Sequence, residues 1–440
     1  MRRLSNDRLA PSAPVVREMA GRTVWTATFR FITPVFGGGV QVDGHKKPFD
    51  PVTPVRVPSI RGQLRLWWRA VNPRGCEDSE QLAKAEAVVF GEAAKPGGVQ
   101  SKGLSIRVLK QPENPAEMQA FFSEPNRAQK GWVVKSMQPG VGYGAFPLRD
   151  DRKEIRFPTS HEHGTLWNYG DQEWRIELSF DTSDRMLDDV AAALWAWSHF
   201  GGLGGRTRRG FGAIDCKECS QPISSIEDGW DRWKLSEAHE VSWGHLRGRH
   251  QEQCAQGRTS YPSGLDALER LLARFQQFRQ GVGNGRNSGD KGRPGRSRWP
   301  EPDEIRRLTN CKADNHAPVH PVSKFPRAVF GTPIIFHFKD HDKRRPDAED
   351  ADPADSTLNP LSTGRFASPL ILRPTLENGR YVARAVRLHG TMPSTFALTM
   401  GKTTYNGLSA RLTTQEANLV TPLGGEADPI ARYFKLLRNG

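Results

Sequence analysis

Cysteine and long apolar runs are both scarce in this sequence. Its 440 residues include 5 cysteines, an odd number that argues against a disulfide framework and favours a reducing, cytoplasmic compartment. No apolar run approaches the roughly 18 to 20 residues needed to cross a bilayer. The amino terminus also has no apolar segment of the kind that a secretory signal carries. We therefore expect a cytoplasmic protein without membrane partners.

Acidic residues are also in deficit. The chain has 49 Asp and Glu against 63 Lys and Arg, which gives a formal net charge of +14. This excess favours an anionic partner such as nucleic acid or an acidic surface, and the charge alone does not separate RNA from DNA. A chain of this length exceeds one ordinary core, so we predict two domains, residues 1–220 and 221–440.

The periodicity of the first half predicts an α+β fold. Apolar residues alternate in three segments, and two segments show helical spacing. The resulting order of strand, helix, strand, strand, helix and strand is that of a ferredoxin-like unit. Glycine- and turn-rich residues 131–171 are predicted as an insertion. The predicted elements are strands at 23–33, 104–108, 174–180 and 211–216 and helices at 59–71 and 184–199.

The second half has a weaker pattern. Helical spacing at 265–278 predicts a helix of a second core, and a terminal helix is expected at 428–437. The Gly/Arg-rich segment 281–298 has few apolar residues and is predicted to be a mobile linker or loop. Strands of a second sheet are expected at 333–338, 366–372 and 380–388.

A glycine- and arginine-rich loop between the second helix and the fourth strand is the strongest functional signal. Residues 199–212 hold six glycines and three arginines. The spacing matches neither a Walker loop nor a dinucleotide fingerprint, and the order is helix to strand rather than strand to helix. Glycine permits close backbone approach, and arginine offers donors matched to phosphate oxygens. A helix cap with incidental arginines is the structural alternative. The predicted RNA-binding residues are Gly201, Gly202, Gly204, Gly205, Arg206, Thr207, Arg208, Arg209 and Gly210.

Three arginines form a stripe on the first helix, which Ser59 is predicted to cap. Arg61, Arg65 and Arg69 recur at every fourth residue beside an apolar face. Like charges at this spacing repel, and no acidic residue occurs between positions 52 and 76. The stripe is therefore predicted to hold a second phosphate track or to contact an adjoining subunit. A solvated face paired with carboxylates elsewhere is the alternative.

Candidate catalytic and metal residues are few. Metal-free RNA cleavage needs an acid and a base, usually histidine. His199, beside the glycine loop, and His45 are the candidates, although His199 at a helix end also suits a capping role. Cys216 and Cys219 have the spacing of half a zinc site, but a single pair of thiols at a strand end is often only structural. We predict no resident cofactor.

Several segments together resemble the RAMP superfamily of CRISPR-associated proteins. They are residues 33–38, 58–69, 201–212, 326–331 and 364–370. The first two are similar to the family of subunit one of type III-B Cmr effector complexes. The resemblance implies two tandem ferredoxin-like (RRM-like) domains, binding of guide CRISPR RNA near its 3′ end, target RNA capture, and assembly with other RAMP subunits. It implies no catalytic residue, although some RAMP proteins are endoribonucleases that process guide precursors, which is the alternative function.

Overall fold

The computed structural model describes residues 21–37, 53–71, 75–91, 103–126, 131–149, 161–235, 241–290, 295–342, 345 and 348–440. In its first half these residues form helices and strands in the order β1 (Arg22–Phe31), α1 (Val57–Val71), α2 (Ser79–Phe90), β2 (Ser105–Lys110), β3 (Ala116–Asn126), β4 (Gly131–Ser136), α3 (Pro139–Gly144), β5 (His161–Asn168), β6 (Glu173–Asp181), α4 (Asp184–Phe200) and β7 (Ile214–Cys219).

The first sheet has the strand order β2-β6-β1-β7, and every neighbouring pair is antiparallel. With α1 after β1 and α4 after β6, this is the predicted ferredoxin-like unit, and the α+β fold class is confirmed. Alternation places Trp25, Ala27 and Phe29 of β1 in the core, whereas Val24 is 53% exposed. The helices α1 and α4 cover that apolar face and pack against each other.

The predicted insertion is more regular than its composition indicated. Strands β3, β4 and β5 form a three-stranded antiparallel sheet of order β4-β3-β5 between β2 and β6. The alternation that identifies a strand is broken in β3, because the consecutive residues Ala120 and Phe121 are both buried. Pro125 lies in the same strand and weakens the pattern further.

The second half adds α5 (Ile226–Trp233), α6 (His250–Gln253), β8 (Cys254–Tyr261), α7 (Gly264–Gln280), α8 (Glu301–Thr309), β9 (Ile334–Phe336), β10 (Ser356–Pro360), β11 (Leu370–Glu377), β12 (Arg380–Arg387), β13 (Phe396–Met400), β14 (Thr403–Leu408), α9 (Thr414–Leu419) and α10 (Pro429–Arg438). Both predicted helices are present, as α7 and α10.

A second antiparallel sheet has the order β11-β12-β8. Its elements run strand, helix, strand, strand, helix (β8, α7, β11, β12, α10), which repeats the first unit up to its fourth strand. The expected strand at 333–338 belongs elsewhere, since β9 pairs with β10 in a separate four-stranded sheet of order β14-β13-β10-β9. That small sheet packs around a third core.

The second sheet is covered on both faces, which joins the two units. Ile371, Val386 and Leu388 pack in the first core, whereas their neighbours Leu370 and Leu372 pack in the second core with α7. Helix α5 also packs in the first core, although it lies beyond residue 220. The cores therefore do not follow the two halves of the chain.

The Gly/Arg-rich segment folds back on itself where it is described. The Asn287 amide donates to the Arg296 carbonyl at 2.8 Å, and the Arg298 amide donates to the Gly285 carbonyl at 3.0 Å. Arg296 also forms an ion pair with Asp303 of α8 at 2.8 Å. These bonds hold residues 281–290 and 295–298 as a hairpin-like loop.

Candidate nucleic-acid interface

The glycine loop lies at the junction of the two units. On one side it is held by the segment that follows β1, because the Gly205 amide donates to the Phe36 carbonyl and the Gly212 amide to the Pro34 carbonyl, both at 2.8 Å. The Thr33 hydroxyl donates to the Gly210 carbonyl at 2.7 Å. On the other side the loop packs on β11. Its position is therefore fixed by both units.

Close approaches within the chain itself require the glycines. A Cβ on Gly212 would overlap the Leu203 carbonyl oxygen, and one on Gly202 would lie 2.6 Å from the Gly212 carbonyl oxygen. A Cβ on Gly210 would lie 2.9 Å from the Leu372 carbonyl oxygen of the second sheet. The sequence predicts close approach by a ligand at these glycines, and the structure supplies an intramolecular reason for them.

The three loop arginines all donate to backbone carbonyls of the neighbouring elements. Arg206 Nε donates to the Gly144 carbonyl at 3.0 Å, and Arg208 Nη1 donates to the Ser368 carbonyl at 2.5 Å. Arg209 reaches the carbonyls of Leu370 and Phe330, each at 3.5 Å. Arg206 is exposed, and the other two are half-buried.

The backbone of Arg206 is unusual. Its φ is 58°, in the left-handed region that residues with a Cβ seldom adopt. The other non-glycine residues with positive φ among those described are all asparagines, namely Asn114, Asn310, Asn315 and Asn378. A left-handed conformation at a residue with a Cβ is a local strain that persists only where the surrounding structure holds it.

A fourth arginine joins this cluster from α7. Arg279 donates to the Tyr143 hydroxyl at 2.9 Å, and its guanidinium lies 5.5 Å from the Phe275 ring centroid, which Arg209 also approaches at 5.1 Å. We call Arg206, Arg208, Arg209 and Arg279 the junction arginines. The sequence does not identify Arg279, because this residue lies about seventy positions from the loop and no spacing pattern links the two.

No carboxylate of the described part of the chain forms an ion pair with a junction arginine. Burial lowers the pKa of Arg206 and Arg208, and it lowers that of Arg209 to about 10. All three stay protonated at neutral pH. Carbonyl oxygens satisfy their hydrogen bonds without cancelling their charge, so positive charge accumulates at the junction.

The arginine stripe on α1 differs from the junction in its charge balance, because Glu86 of the next helix bonds to it. Arg65 and Arg69 both bond to Glu86 of α2, with Arg69 Nη2 at 2.9 Å from Glu86 Oε1. Arg61 donates to the Phe90 and Leu104 carbonyls at 2.9 and 3.2 Å. The acid-free stretch 52–76 therefore did not imply unpaired arginines, since the partner lies outside it. Ser59 does not cap α1, which begins at Val57.

His199 is held in a structural position at the end of α4. Its Nε2 lies 2.9 Å from the Ser224 carbonyl, and its ring packs at 5.8 Å from that of Trp195. Because a carbonyl only accepts, Nε2 carries the proton. Burial lowers the pKa of His199 to about 4, so the ring is neutral at pH 7. His45 lies outside the described residues.

Potential metal ligands meet at a place other than the weak candidates Cys216 and Cys219. His316, Asp340 and Asp352 lie within 4.8 Å of one another, and in the described residues the thiols of Cys216 and Cys219 do not belong to such a group. Asp352 already accepts two hydrogen bonds from Arg306, at 2.9 and 3.1 Å. The Arg306 guanidinium therefore already binds the carboxylate that a cation would need as a ligand.

Among the helices of the described residues, none has the length and apolar character required to traverse a membrane.

Residues 28–215 match the family model of the RAMP superfamily. This part of the chain, which includes the glycine loop, is therefore similar to RAMP proteins, and the resemblance inferred from sequence is confirmed. The chain is similar to CRISPR system Cmr subunit Cmr1-1 of Pyrococcus furiosus, with 26% identity over 176 residues. The match covers 40% of this chain and 43% of that relative, so it spans less than half of the relative's length.

Two solved structures resemble the whole chain more distantly. The crystal structure of apo Cmr1 from Pyrococcus furiosus has 16% identity and a TM-score of 0.43, with 90% of this chain and 96% of that one covered. A chain of the cryo-EM structure of the type III-B Cmr-beta complex bound to cognate target RNA has 11% identity and a TM-score of 0.42, with coverages of 91% and 98%.

Proposed function

We propose that this chain is a non-catalytic RNA-binding subunit of a type III-B Cmr effector complex. In this role it grips the backbone of the guide RNA near its 3′ end and helps to capture target RNA in antiviral defence. Guide RNA, target RNA and other RAMP subunits are its partners. The RAMP match and the similarity to a Cmr subunit support the assignment to this class.

The observation that carries the RNA-binding part is the set of junction arginines without carboxylate partners. Four cations gathered at one place repel one another, and a phosphodiester strand removes that repulsion. Arg206 is the exposed member and presents its guanidinium from a strained backbone. Contacts of this kind position RNA without reading its sequence, so base pairing with the guide supplies the specificity.

The α1 stripe has a secondary place in the proposal. Three arginines and one glutamate leave a net positive strip, and the side chains of Arg65 and Arg69 are 39% and 41% exposed. This arrangement suits either a weaker phosphate track or a contact with a neighbouring subunit. The junction, rather than the stripe, is the primary RNA site.

The non-catalytic part rests on the chemistry available at the junction. Arginine with its high pKa is a poor proton donor or acceptor at neutral pH. His199 is neutral at pH 7 and donates its Nε2 proton in a hydrogen bond to the Ser224 carbonyl.

Guide-precursor RNA incubated with the purified protein should stay intact on a denaturing gel. Cleavage that disappears in His199→Ala while RNA binding is retained would establish the endoribonuclease instead.

The salt dependence of RNA binding tests the junction. Each lost phosphate contact reduces the slope of log K against log salt by about 0.7 for a single strand. We expect about that reduction for Arg206→Asn and a reduction of about 2 for the triple variant Arg206→Asn, Arg208→Gln, Arg209→Gln. Asparagine suits the backbone of residue 206, because it tolerates positive φ. Affinity should fall uniformly across RNA sequences.

Arg258→Gln is the matched control for this measurement. Arg258 is exposed on β8, so its loss removes the same charge at a different place. The control should keep the salt slope of the original protein. A triple variant with an unchanged slope, or a control with the same loss, would remove the junction from the RNA-binding surface.

A further inference from the structure

Cys216 and Cys219 lie on β7, an edge strand of the first sheet. The register pairs Phe29 with Cys216, Thr28 with Glu218 and Ala27 with Cys219, so Lys217 is an extra residue on β7. This is a β-bulge, in which two residues of one strand oppose one residue of its neighbour. Because Ala27 and Phe29 both face the core, both cysteines face it too, and both pack at its edge.

The bulge brings the two cysteines within reach of each other. Residues three apart on a regular strand have α-carbons separated by about 10 Å and point to opposite faces. Here the three steps on β7 match two steps on β1, which span about 6.6 Å. A disulfide needs α-carbons about 4.4 to 6.8 Å apart. The spacing that sequence analysis assigned to half a zinc site is thus compatible with a covalent bridge.

The environment of the two thiols differs. The interaction with the Cys216 thiol, together with the Gln221 amide, outweighs burial and lowers the pKa of Cys219 to about 7. Cys216 Sγ itself lies 3.5 Å from the Glu218 carbonyl oxygen. The same pairing raises the pKa of Cys216. Both residues are half-exposed, whereas Cys76, Cys254 and Cys311 are buried. The pair therefore combines a half-buried thiol of lowered pKa with a second half-buried thiol beside it.

A metal explains the pair less well than redox chemistry does. A structural zinc needs four ligands. Within the described ranges, no third His, Cys, Asp or Glu ligand lies close enough to form a group with these two thiols. An accessible dithiol with one activated member instead has the arrangement of an exchangeable pair.

We propose that Cys216 and Cys219 form a redox-active dithiol that low-molecular-weight disulfides, such as glutathione disulfide, oxidise to an intramolecular disulfide. The Cys219 thiolate attacks one sulfur of the small disulfide, whose S–S bond breaks and releases one thiolate. The Cys216 sulfur, after losing its proton, then attacks the Cys219 sulfur and expels the second thiolate. Two protein thiols are oxidised and one small disulfide is reduced to two thiols.

Oxidation by glutathione disulfide, followed by unfolding and alkylation, tests the pair. The oxidised full chain should retain three alkylatable thiols of its 5 cysteines. Trypsin cuts after Lys217, so the bridge should join peptide 210–217 to peptide 218–232. A dithiol reductant should separate them again. Cys76→Ala is the control and should lose the same two thiols.

Native alkylation rates at pH 7 test the activation of Cys219. Cys216→Ala removes the donor and should slow the modification of Cys219 about tenfold. Cys216→Ser keeps a hydroxyl donor and should retain most of the rate, although it cannot form the bridge. Three outcomes would each overturn the proposal. The first is five free thiols after oxidation, and the second is a glutathione adduct that persists on Cys219 in the original protein. The third is stoichiometric zinc in the original protein that both variants lose.

Discussion

Carboxylate partners distinguish the arginines of this chain from one another. Arg65 and Arg69 of α1 share Glu86, whose side chain is 2% exposed, while the three loop arginines of the junction have backbone carbonyls as their acceptors. The two groups look alike in sequence, since both are closely spaced arginines among apolar residues and glycines. At the residue scale, the position of one glutamate decides which arginines are neutralised by a carboxylate and which keep their positive charge.

Glu86 should stabilise the fold in a pH-dependent manner. The bonds from Arg69 and Arg65 outweigh burial and lower its pKa below 4.5. Its contribution is therefore complete above pH about 4.5 and is lost as the pH falls through the lower, folded value. We expect Glu86→Gln to cost about 1–2 kcal/mol at pH 7, less than for a fully buried pair because both arginines are partly exposed. Urea unfolding from pH 7 to pH 3 measures the difference.

Glu80→Gln on the same helix is the matched control. Its ion pair with Lys84, at 2.8 Å, joins side chains that are 77% and 72% exposed. Such a pair contributes little, so the control should cost less than about 0.5 kcal/mol at every pH. A Glu86 variant whose deficit does not shrink between pH 5 and pH 3 would contradict the role assigned to the buried carboxylate.

At the scale of elements, the glycine loop is a close-packed connection whose spacing is fixed by backbone contacts. Gly212 has φ +60° and no room for a Cβ beside the Leu203 carbonyl, whereas Gly170 has φ +56° and open space around it. Both positions therefore require a positive φ, but only Gly212 also lacks the space for a Cβ.

Substituting each of these two glycines by alanine separates the cost of the left-handed backbone from the cost of the steric overlap. Gly170→Ala should lose about 1–2 kcal/mol, the cost of a left-handed residue with a Cβ. Gly212→Ala should lose that amount plus the cost of moving the loop, at least about 2 kcal/mol more. Thermal and urea unfolding of both variants measure the difference. Equal losses would show that the loop yields easily and that its glycines are not required by packing.

The sequence predicted the first unit well because its signals are local. Alternation in β1, helical spacing in α4 and the order of elements each depend on residues close together in the chain. The partner of the α1 stripe, the Arg279 contribution to the junction and the bulge at Lys217 depend on contacts between distant segments. The short strand β9 was assigned to the wrong sheet for the same reason, since periodicity does not specify a strand's neighbour.

At the scale of the whole molecule, the second sheet is the element that both units share. Strand β11 is buried along most of its length, and Arg373 on this strand donates to the Ser198 carbonyl at the end of α4 at 2.7 Å. Ile371 on the same face packs in the first core and is 2% exposed. Loss of packing on this face should therefore destabilise both units.

Hydrogen exchange of Ile371→Ala measures this coupling. Removing a buried isoleucine side chain costs about 2–5 kcal/mol. Because the side chain fills the first core from a strand of the second unit, exchange should accelerate in α4 as well as in β11. Leu398→Ala, at a fully buried position of the third core, is the matched control. It should accelerate exchange in β10 and β13 and leave α4 protected. If Ile371→Ala left α4 as protected as in the original protein, the two units would be independent, and the junction arginines would lie on a hinge rather than on a fixed surface.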